Sequence, residues 1–158
     1  MGSSKLIVLA CLATLFSALT GFAQNAGNSQ TADPLTTYNT AITEKNWAGA
    51  VAAAQQLVSQ TPSSVNLRLL ATAQLDARSA ADALAAFERA LAAAKAEQPT
   101  GDVEAMTKWK DGLADIYVGE GNALLLLKRM PEAMAAYTNG AQYSSRRDAL
   151  NADATDSA

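Results

Sequence analysis

The sequence predicts an all-α protein whose helices pair into three hairpins that stack on one another. Alanine-rich segments of helical length recur along the chain, and proline, glycine or a capping residue separates them. No alternating run of β-branched residues follows the N-terminal segment. The chain of 158 residues is long enough for one domain with a modest core. We therefore expect six helices and no sheet.

Residues 1–23 predict a secretory signal peptide, with Lys5 as its positive charge, an apolar run over 6–19 and small residues before a cleavage site after Ala23. An uncleaved membrane anchor is the alternative, but the apolar run is shorter than the roughly 20 residues of a spanning helix. We expect a periplasmic or secreted protein without stable membrane insertion.

Cys11, the only cysteine, lies in "VLAC", which resembles the lipidation motif of bacterial lipoproteins. Leu9 is bulky where that motif prefers a small residue, and the apolar run continues beyond Cys11. Lipidation is therefore the less favoured reading. Without it the mature chain has no thiol, and hence no disulfide.

The first two helices follow a flexible leader over 24–32. Asp33 and Pro34 are typical of a helix start, and this helix should reach about Glu44. After a turn at 45–46, the second helix runs from Trp47 to the residue before Pro62, because a residue preceding proline avoids helical geometry.

Serines mark the starts of the next two helices. Ser63 and Ser64 cap the third helix, and Ser79 caps the fourth with Asp82 three residues later, as in a capping box. The fourth helix should end before Pro99.

A long fifth helix is predicted from about 100–102 to Lys128, with a kink or a break at Gly112. The sixth begins at Pro131. We expect a disordered tail over 148–158.

Small residues repeat in register along the even-numbered helices. Ala83 follows Ala50 by 33 residues, and Ala133 follows Ala83 by 50, so about 16 extra residues lie between the second and third units. Residues at two further positions also align: Ala54, Phe87 and Tyr137 four residues on, then Leu57, Ala90 and Gly140.

This pattern resembles the tetratricopeptide repeat family. The third unit also carries Gly121-Asn122-Ala123, with Tyr117 four residues before Gly121. The resemblance covers about residues 31–147 and implies a domain over 33–147 that forms a short right-handed α-solenoid. Its repeats span about 31–63, 64–97 and 114–147, with an inserted helix extension over 98–113.

The alanines have a physical explanation in this register. Two helices approach most closely where both carry small residues, which predicts Ala71 against Ala83 and Gly121 against Ala133. Phe87 and Tyr137 should then fill the gap to the neighbouring hairpin. The first repeat departs from the pattern: Tyr38 and Leu57 are large where small residues belong, so either its bulk has changed sides or that hairpin packs differently.

The resemblance also implies a concave face, formed by the first helix of each pair, that holds an extended peptide or a partner helix. Asparagine amides on this face can donate to and accept from a peptide backbone, and an arginine can pair with a carboxylate. The alternative is that these side chains are merely solvated or cap helices. Leu35 stands where members that clamp a C-terminal carboxylate carry lysine, which argues against that activity. The face comprises Leu35, Asn39, Ile42, Arg68, Thr72, Leu75, Asp115, Val118, Asn122 and Leu125.

Two other features suggest contacts. Four leucines at 124–127 surround most of a helical turn and cannot all be buried by three hairpins. Either the tail around 143–150 folds over them, or Leu125 and Leu126 form a homodimer or partner interface. Trp109 lies between two lysines and is either an interaction anchor or ordinary packing.

Composition argues against an enzyme. The chain has no histidine, and it shows no glycine-rich phosphate loop and no nucleophile elbow. We expect no catalysis, no cofactor and no metal. Removing Lys5 changes the net charge from −3 to −4, and no basic stripe suggests nucleic acid. The sequence thus predicts an exported module that binds a protein or peptide; the alternative is an assembly subunit of a cell-envelope complex, docked through its apolar C-terminal end.

Overall fold

The computed structural model describes residues 33–144, which belong to one compact unit and form six α-helices with no strand among them. The expected signal peptide with Cys11, the leader and the tail over 148–158 lie outside the described residues. The helices form three successive pairs, α1/α2, α3/α4 and α5/α6. Their bounds are α1 Pro34–Thr43, α2 Trp47–Gln60, α3 Ser64–Asp76, α4 Ala80–Ala96, α5 Val103–Leu126 and α6 Met130–Tyr143.

Side chains cap four of the six helices at their N-termini. Asp33 accepts from the backbone N–H of Thr36 at 3.1 Å and so caps α1, with Pro34 in the first turn as expected. The caps of α2, α3 and α5 are Asn46, Ser63 and Asp102.

The expected capping box at Ser79 is wrong, because its side chain makes no capping hydrogen bond. Asn46 has a similar backbone conformation (φ −82°, ψ 77°, against −87° and 65° at Ser79) and does reach the N–H of Gly49. The asparagine oxygen is one bond further from the backbone than the serine hydroxyl, which accounts for the difference.

The turns within the three pairs have the same backbone structure. Lys45, Arg78 and Lys128 adopt left-handed conformations with φ of 56°, 65° and 62°, which are uncommon for residues other than glycine. In each turn the next N–H bonds back to the carbonyl five residues earlier, at 2.8–2.9 Å. These residues are 33 and then 50 apart, so the spacing of the alanines recurs in the backbone of the turns.

Each helix contacts the next one along the chain, and α3 also contacts α5. The extra residues before the third pair lengthen α4 and α5 to 17 and 24 residues, as expected. A break at Gly112 is wrong, because α5 runs continuously through it. One glycine costs a helix only about 1 kcal/mol, which the remaining hydrogen bonds of a 24-residue helix readily offset.

The core consists largely of alanine. Ala50, Ala71, Ala83 and Ala133 are each 0% exposed, and no charged or polar residue among those described is buried with them. In the third pair the backbones approach closely at Gly140, where a Cβ atom would lie 3.3 Å from the carbonyl oxygen of Ala114. Small residues therefore occupy the buried positions that the sequence register predicts.

Aromatic rings fill the spaces that the small residues leave. Phe87 is 2% exposed, and its ring lies against the backbone of α5 at Gly119, as expected for a residue that reaches the neighbouring pair. Tyr137 instead packs on Gly121 of its own pair. In the first pair the bulk has changed sides: buried Tyr38 reaches from α1 to α3 and donates to the carbonyl of Leu69 at 3.4 Å.

Candidate partner-binding surface

An ion pair joins α3 to α5 on the face that the sequence predicts for binding. Arg68 Nη1 lies 3.4 Å from Asp115 Oδ2, and both side chains keep contact with solvent. A carboxylate from a partner would therefore compete with Asp115 for Arg68. Because the pair is solvated, its contribution to stability is small, of the order of 0–1 kcal/mol, and the exchange is energetically accessible.

A groove of about 510 Å³ opens beside the C-terminal ends of α3 and α5. We call it the α3–α5 groove. Its lining combines apolar, polar and charged side chains: Trp47, Leu75, Asp76, Arg78, Asn122, Leu125 and Leu126. Such a mixture of apolar surface with a few polar groups is typical of sites that recognise a partner side chain and its backbone together.

Leu75, Asn122 and Leu125 are the predicted binding residues that the fold brings together in this groove. The Asn122 Oδ1 atom accepts a hydrogen bond from the Tyr137 hydroxyl at 2.7 Å. This bond orients the amide and leaves its NH₂ group as the part of Asn122 available to donate to a partner.

The remaining predicted residues do not line the groove. Thr72 donates its hydroxyl to the Arg68 carbonyl at 2.9 Å, within its own helix. Ile42 is half-buried and packs against the core. Leu35, Asn39 and Val118 are exposed.

Sequence reasoning missed Trp47, Asp76 and Arg78 as groove residues. It treated Trp47 only as a helix start, although an aromatic residue at an exposed helix end was a usable signal. Arg78 occupies the same register as Lys45 and Lys128, so comparison of the three turns would have drawn attention to it.

The charges of α3 also act on buried Tyr38. Burial raises the pKa of the Tyr38 phenol, the Asp76 carboxylate raises it further, and Arg68 lowers it. Asp76 thus connects the electrostatics of the groove with those of the first pair.

Trp109 is half-buried and packs against the core. Its indole N–H donates to the Ala94 carbonyl at 2.6 Å, and its ring meets Tyr143 edge-to-face with centroids 6.3 Å apart. These contacts agree with the packing interpretation of this tryptophan and link the end of α4 to both helices of the third pair.

The last pair exposes an apolar patch. Leu124 is buried, whereas Leu125 and Leu126 of α5 and Met130 and Met134 of α6 are exposed, and these four exposed side chains form what we call the apolar patch. Met134 is 69% exposed. Leu84, the equivalent residue 50 positions earlier, lies in α4, which α5 contacts, and is only 8% exposed. Met134 thus lies on a face of α6 that no helix among residues 33–144 covers.

Residues 33–144 contain no helix that is both long and apolar enough to cross a membrane. Within the same range no three acidic or cysteine side chains are grouped so that they could hold a metal ion.

Comparisons with protein-family models, curated proteins and solved structures found no match to this chain.

Proposed function

We propose that the chain is an exported interaction module of the tetratricopeptide type, a short α-solenoid that binds a peptide or partner helix on the face formed by α1, α3 and α5. The α3–α5 groove is the observation that carries this proposal. It brings together three residues of the predicted face, Leu75, Asn122 and Leu125. The solvated pair of Arg68 and Asp115 joins α3 to α5 on that same face.

Three features of the groove support a peptide or helix as its ligand. Trp47 and the leucines offer apolar contact area, the Asn122 amide offers a donor for a backbone carbonyl, and Arg78 offers a cation. A large aliphatic or aromatic side chain beside an acidic residue matches these groups. Partner recognition without catalysis also agrees with a chain that lacks histidine.

Capture of a partner from cell-envelope extract, followed by titration of the peptide so identified, tests the proposal. We expect Leu125→Asp and Arg78→Glu each to reduce capture by about tenfold or more, because each removes a contact and adds an unfavourable charge. Trp47 emission should change on titration in the Trp109→Phe background, which leaves one tryptophan.

Val65→Asp is the matched control, because Val65 is also exposed on α3 but does not line the groove. The control should capture as wild type does, and the three charge variants, Leu125→Asp, Arg78→Glu and Val65→Asp, should keep the wild-type melting temperature. Equal capture by wild type and both groove variants would show that the groove is not the binding site. The triple change of Asn39, Arg68 and Asn122 to alanine then tests the rest of the face.

A second candidate function is that of an assembly subunit of a cell-envelope complex, docked through the apolar patch of Leu125, Leu126, Met130 and Met134. One observation favours this second function. Met134 is exposed, whereas Leu84, the residue at the equivalent position of the second pair, is buried. Under this proposal the isolated protein self-associates, with a homodimer through Leu125 and Leu126 as the simplest product.

Sedimentation separates the two functions. An assembly subunit should dimerise or aggregate at high concentration and become monomeric after Leu126→Lys and Met134→Lys. A wild-type protein that stays monomeric throughout would leave the reversible binder as the proposal.

A further inference from the structure

A second groove, of about 380 Å³, is lined by residues of α4, α5 and α6 and shares no residue with the α3–α5 groove. We call it the α4–α6 groove. Leu84, Leu91 and Leu124 give it an apolar floor, and Ala135 and Ala136 of α6 form one wall. A volume of about 380 Å³ has room for an aliphatic side chain and part of the backbone that carries it.

Three carboxylates and one cation surround this apolar floor. Arg129 donates to both carboxylate oxygens of Glu132, so these two charges satisfy each other. Within residues 33–144 no cation lies at ion-pair distance from Glu88 or Glu120. The groove thus carries excess negative charge beside apolar surface.

Glu120 is the most buried of the three carboxylates. It is half-buried, and burial followed by the charge of Glu88 raises its pKa, which Lys95 only partly offsets. A guanidinium beside both carboxylates would stabilise their charged forms.

The chain leaves α6 at one end of this groove. Tyr143, the last residue of α6, stacks on Tyr117 with ring centroids 5.8 Å apart, and Tyr117 lines the groove. Asn139 and Ala136, which also line it, lie four and seven residues earlier, about 6–10 Å along the helix at 1.5 Å per residue.

The sequence after Ser144 is Ser-Arg-Arg-Asp-Ala-Leu, residues 145–150. Arg146 and Arg147 adjoin one another two residues beyond the described end, and Leu150 follows. At up to about 3.5 Å per extended residue, three residues span about 10 Å. The arginines can therefore reach back to the level of Asn139 and Ala136, which line the same groove as Glu88 and Glu120.

We infer that residues 145–150 fold back into the α4–α6 groove, with Arg146 and Arg147 paired to Glu88 and Glu120 and Leu150 on the leucine floor. The aliphatic stems of the arginines cover apolar surface while their planar heads pair with carboxylates. The chain thus occupies its own second groove, and the binding proposed for the α3–α5 groove does not depend on it.

Disulfide trapping in the full chain tests this inference. Cys11→Ser gives a cysteine-free background, because Cys11 is the only cysteine. In it, Ala135→Cys with Ala149→Cys places one thiol on the groove wall and one in the segment. We expect this pair to form an intramolecular disulfide about ten times faster than the control pair of Met134→Cys with Ala149→Cys, because docking raises the effective concentration of the second thiol. Met134 adjoins Ala135 but does not line the groove.

Charge changes in the same background test the arginine contacts. Arg146→Glu with Arg147→Glu should abolish the tenfold preference, and adding Glu88→Arg with Glu120→Arg should restore it. Sodium chloride at 1 M, where the Debye length is about 3 Å, should weaken the preference.

Equal rates for the two cysteine pairs, or a preference that the charge changes leave intact, would overturn the inference. So would disulfides between chains, since they would show that a second copy occupies the groove. Circular dichroism melts check that each variant is folded, and Ala135 and Met134 are both exposed on α6, so we expect no loss of fold from a cysteine at either.

Discussion

At the scale of single residues, glycines with the same helical environment have opposite structural roles. A Cβ atom at Gly119 would lie 2.2 Å from the ring of buried Phe87, whereas one at Gly112, earlier in α5, meets nothing within 4 Å. Gly119 is therefore required by the neighbouring helix pair, while Gly112 only weakens its own helix.

Gly119→Ala should destabilise the protein by about 1–3 kcal/mol, because Phe87 must leave its buried position, and this outweighs the better helix propensity of alanine. Gly112→Ala should instead stabilise it by about 0.5–1 kcal/mol. Urea unfolding measures both, and a shift of both midpoints in the same direction would contradict this role of Gly119.

Tyr38 makes stability sensitive to alkaline pH. Its pKa is raised in the folded protein, chiefly by burial, so the unfolded chain loses this proton at a lower pH than the folded one. The contribution of protonated Tyr38 to the free energy of unfolding is therefore fully present below the ordinary phenol pKa of about 10, and it is lost as the pH rises above that value.

Tyr38→Phe should remove this part of the alkaline loss while changing stability at pH 7 by no more than about 1 kcal/mol, the usual contribution of one hydrogen bond. Unfolding free energies of both proteins at pH 8 and pH 10.5 provide the check. The same alkaline loss in both proteins would exclude Tyr38 as its source.

At the scale of helices, local signals predicted the boundaries well. Proline, aspartate and serine placed five of the six helix starts within about two residues of those observed, because a cap or a missing N–H acts within one turn. The wrong prediction of a capping box at Ser79 also has a local cause. With a similar backbone conformation, the longer Asn46 side chain reaches a backbone N–H of the first turn, whereas the Ser79 hydroxyl does not.

Ala83→Leu should destabilise the protein by about 1–3 kcal/mol, because Ala83 is fully buried in a helix that packs between α3 and α5. Ala81→Leu, at an exposed position of the same helix, should have an effect within about 0.5 kcal/mol. Thermal melts that show the two variants to be equally stable would argue against the alanine register.

At the scale of the whole molecule, the contacts run from each helix to the next, with one further contact between α3 and α5. Stability in such an arrangement depends on the junctions between neighbouring pairs. Phe87 fills the junction between the second and third pairs, whereas Tyr137, its counterpart in the third pair, remains partly exposed.

Phe87→Ala should therefore destabilise the protein by about 3–5 kcal/mol and let α5 and α6 exchange amide protons faster than α1–α4. Tyr137→Ala should cost less, about 0.5–2 kcal/mol, as expected for partial exposure. Hydrogen exchange followed by mass spectrometry resolves the helices, and uniform exchange in Phe87→Ala would contradict a separate role for this junction.

The candidate site was less predictable than the fold. Helical spacing placed Leu75 and Asn122 on the first helices of their pairs, and both line the α3–α5 groove. Trp47 joins them only because the start of α2 lies near the ends of α3 and α5. No spacing within a single helix contains that information.

The sequence alone determined the number of helices, their boundaries and the 33- and 50-residue repeat, because caps, prolines and alanine spacing act over a few residues. Only the tertiary structure decided that Phe87 rests on Gly119, that Tyr38 reaches α3 and that Arg68 pairs with Asp115. These contacts join residues 31 to 47 positions apart in the sequence. Each contact forms only when several helices pack together, so local sequence patterns do not specify it.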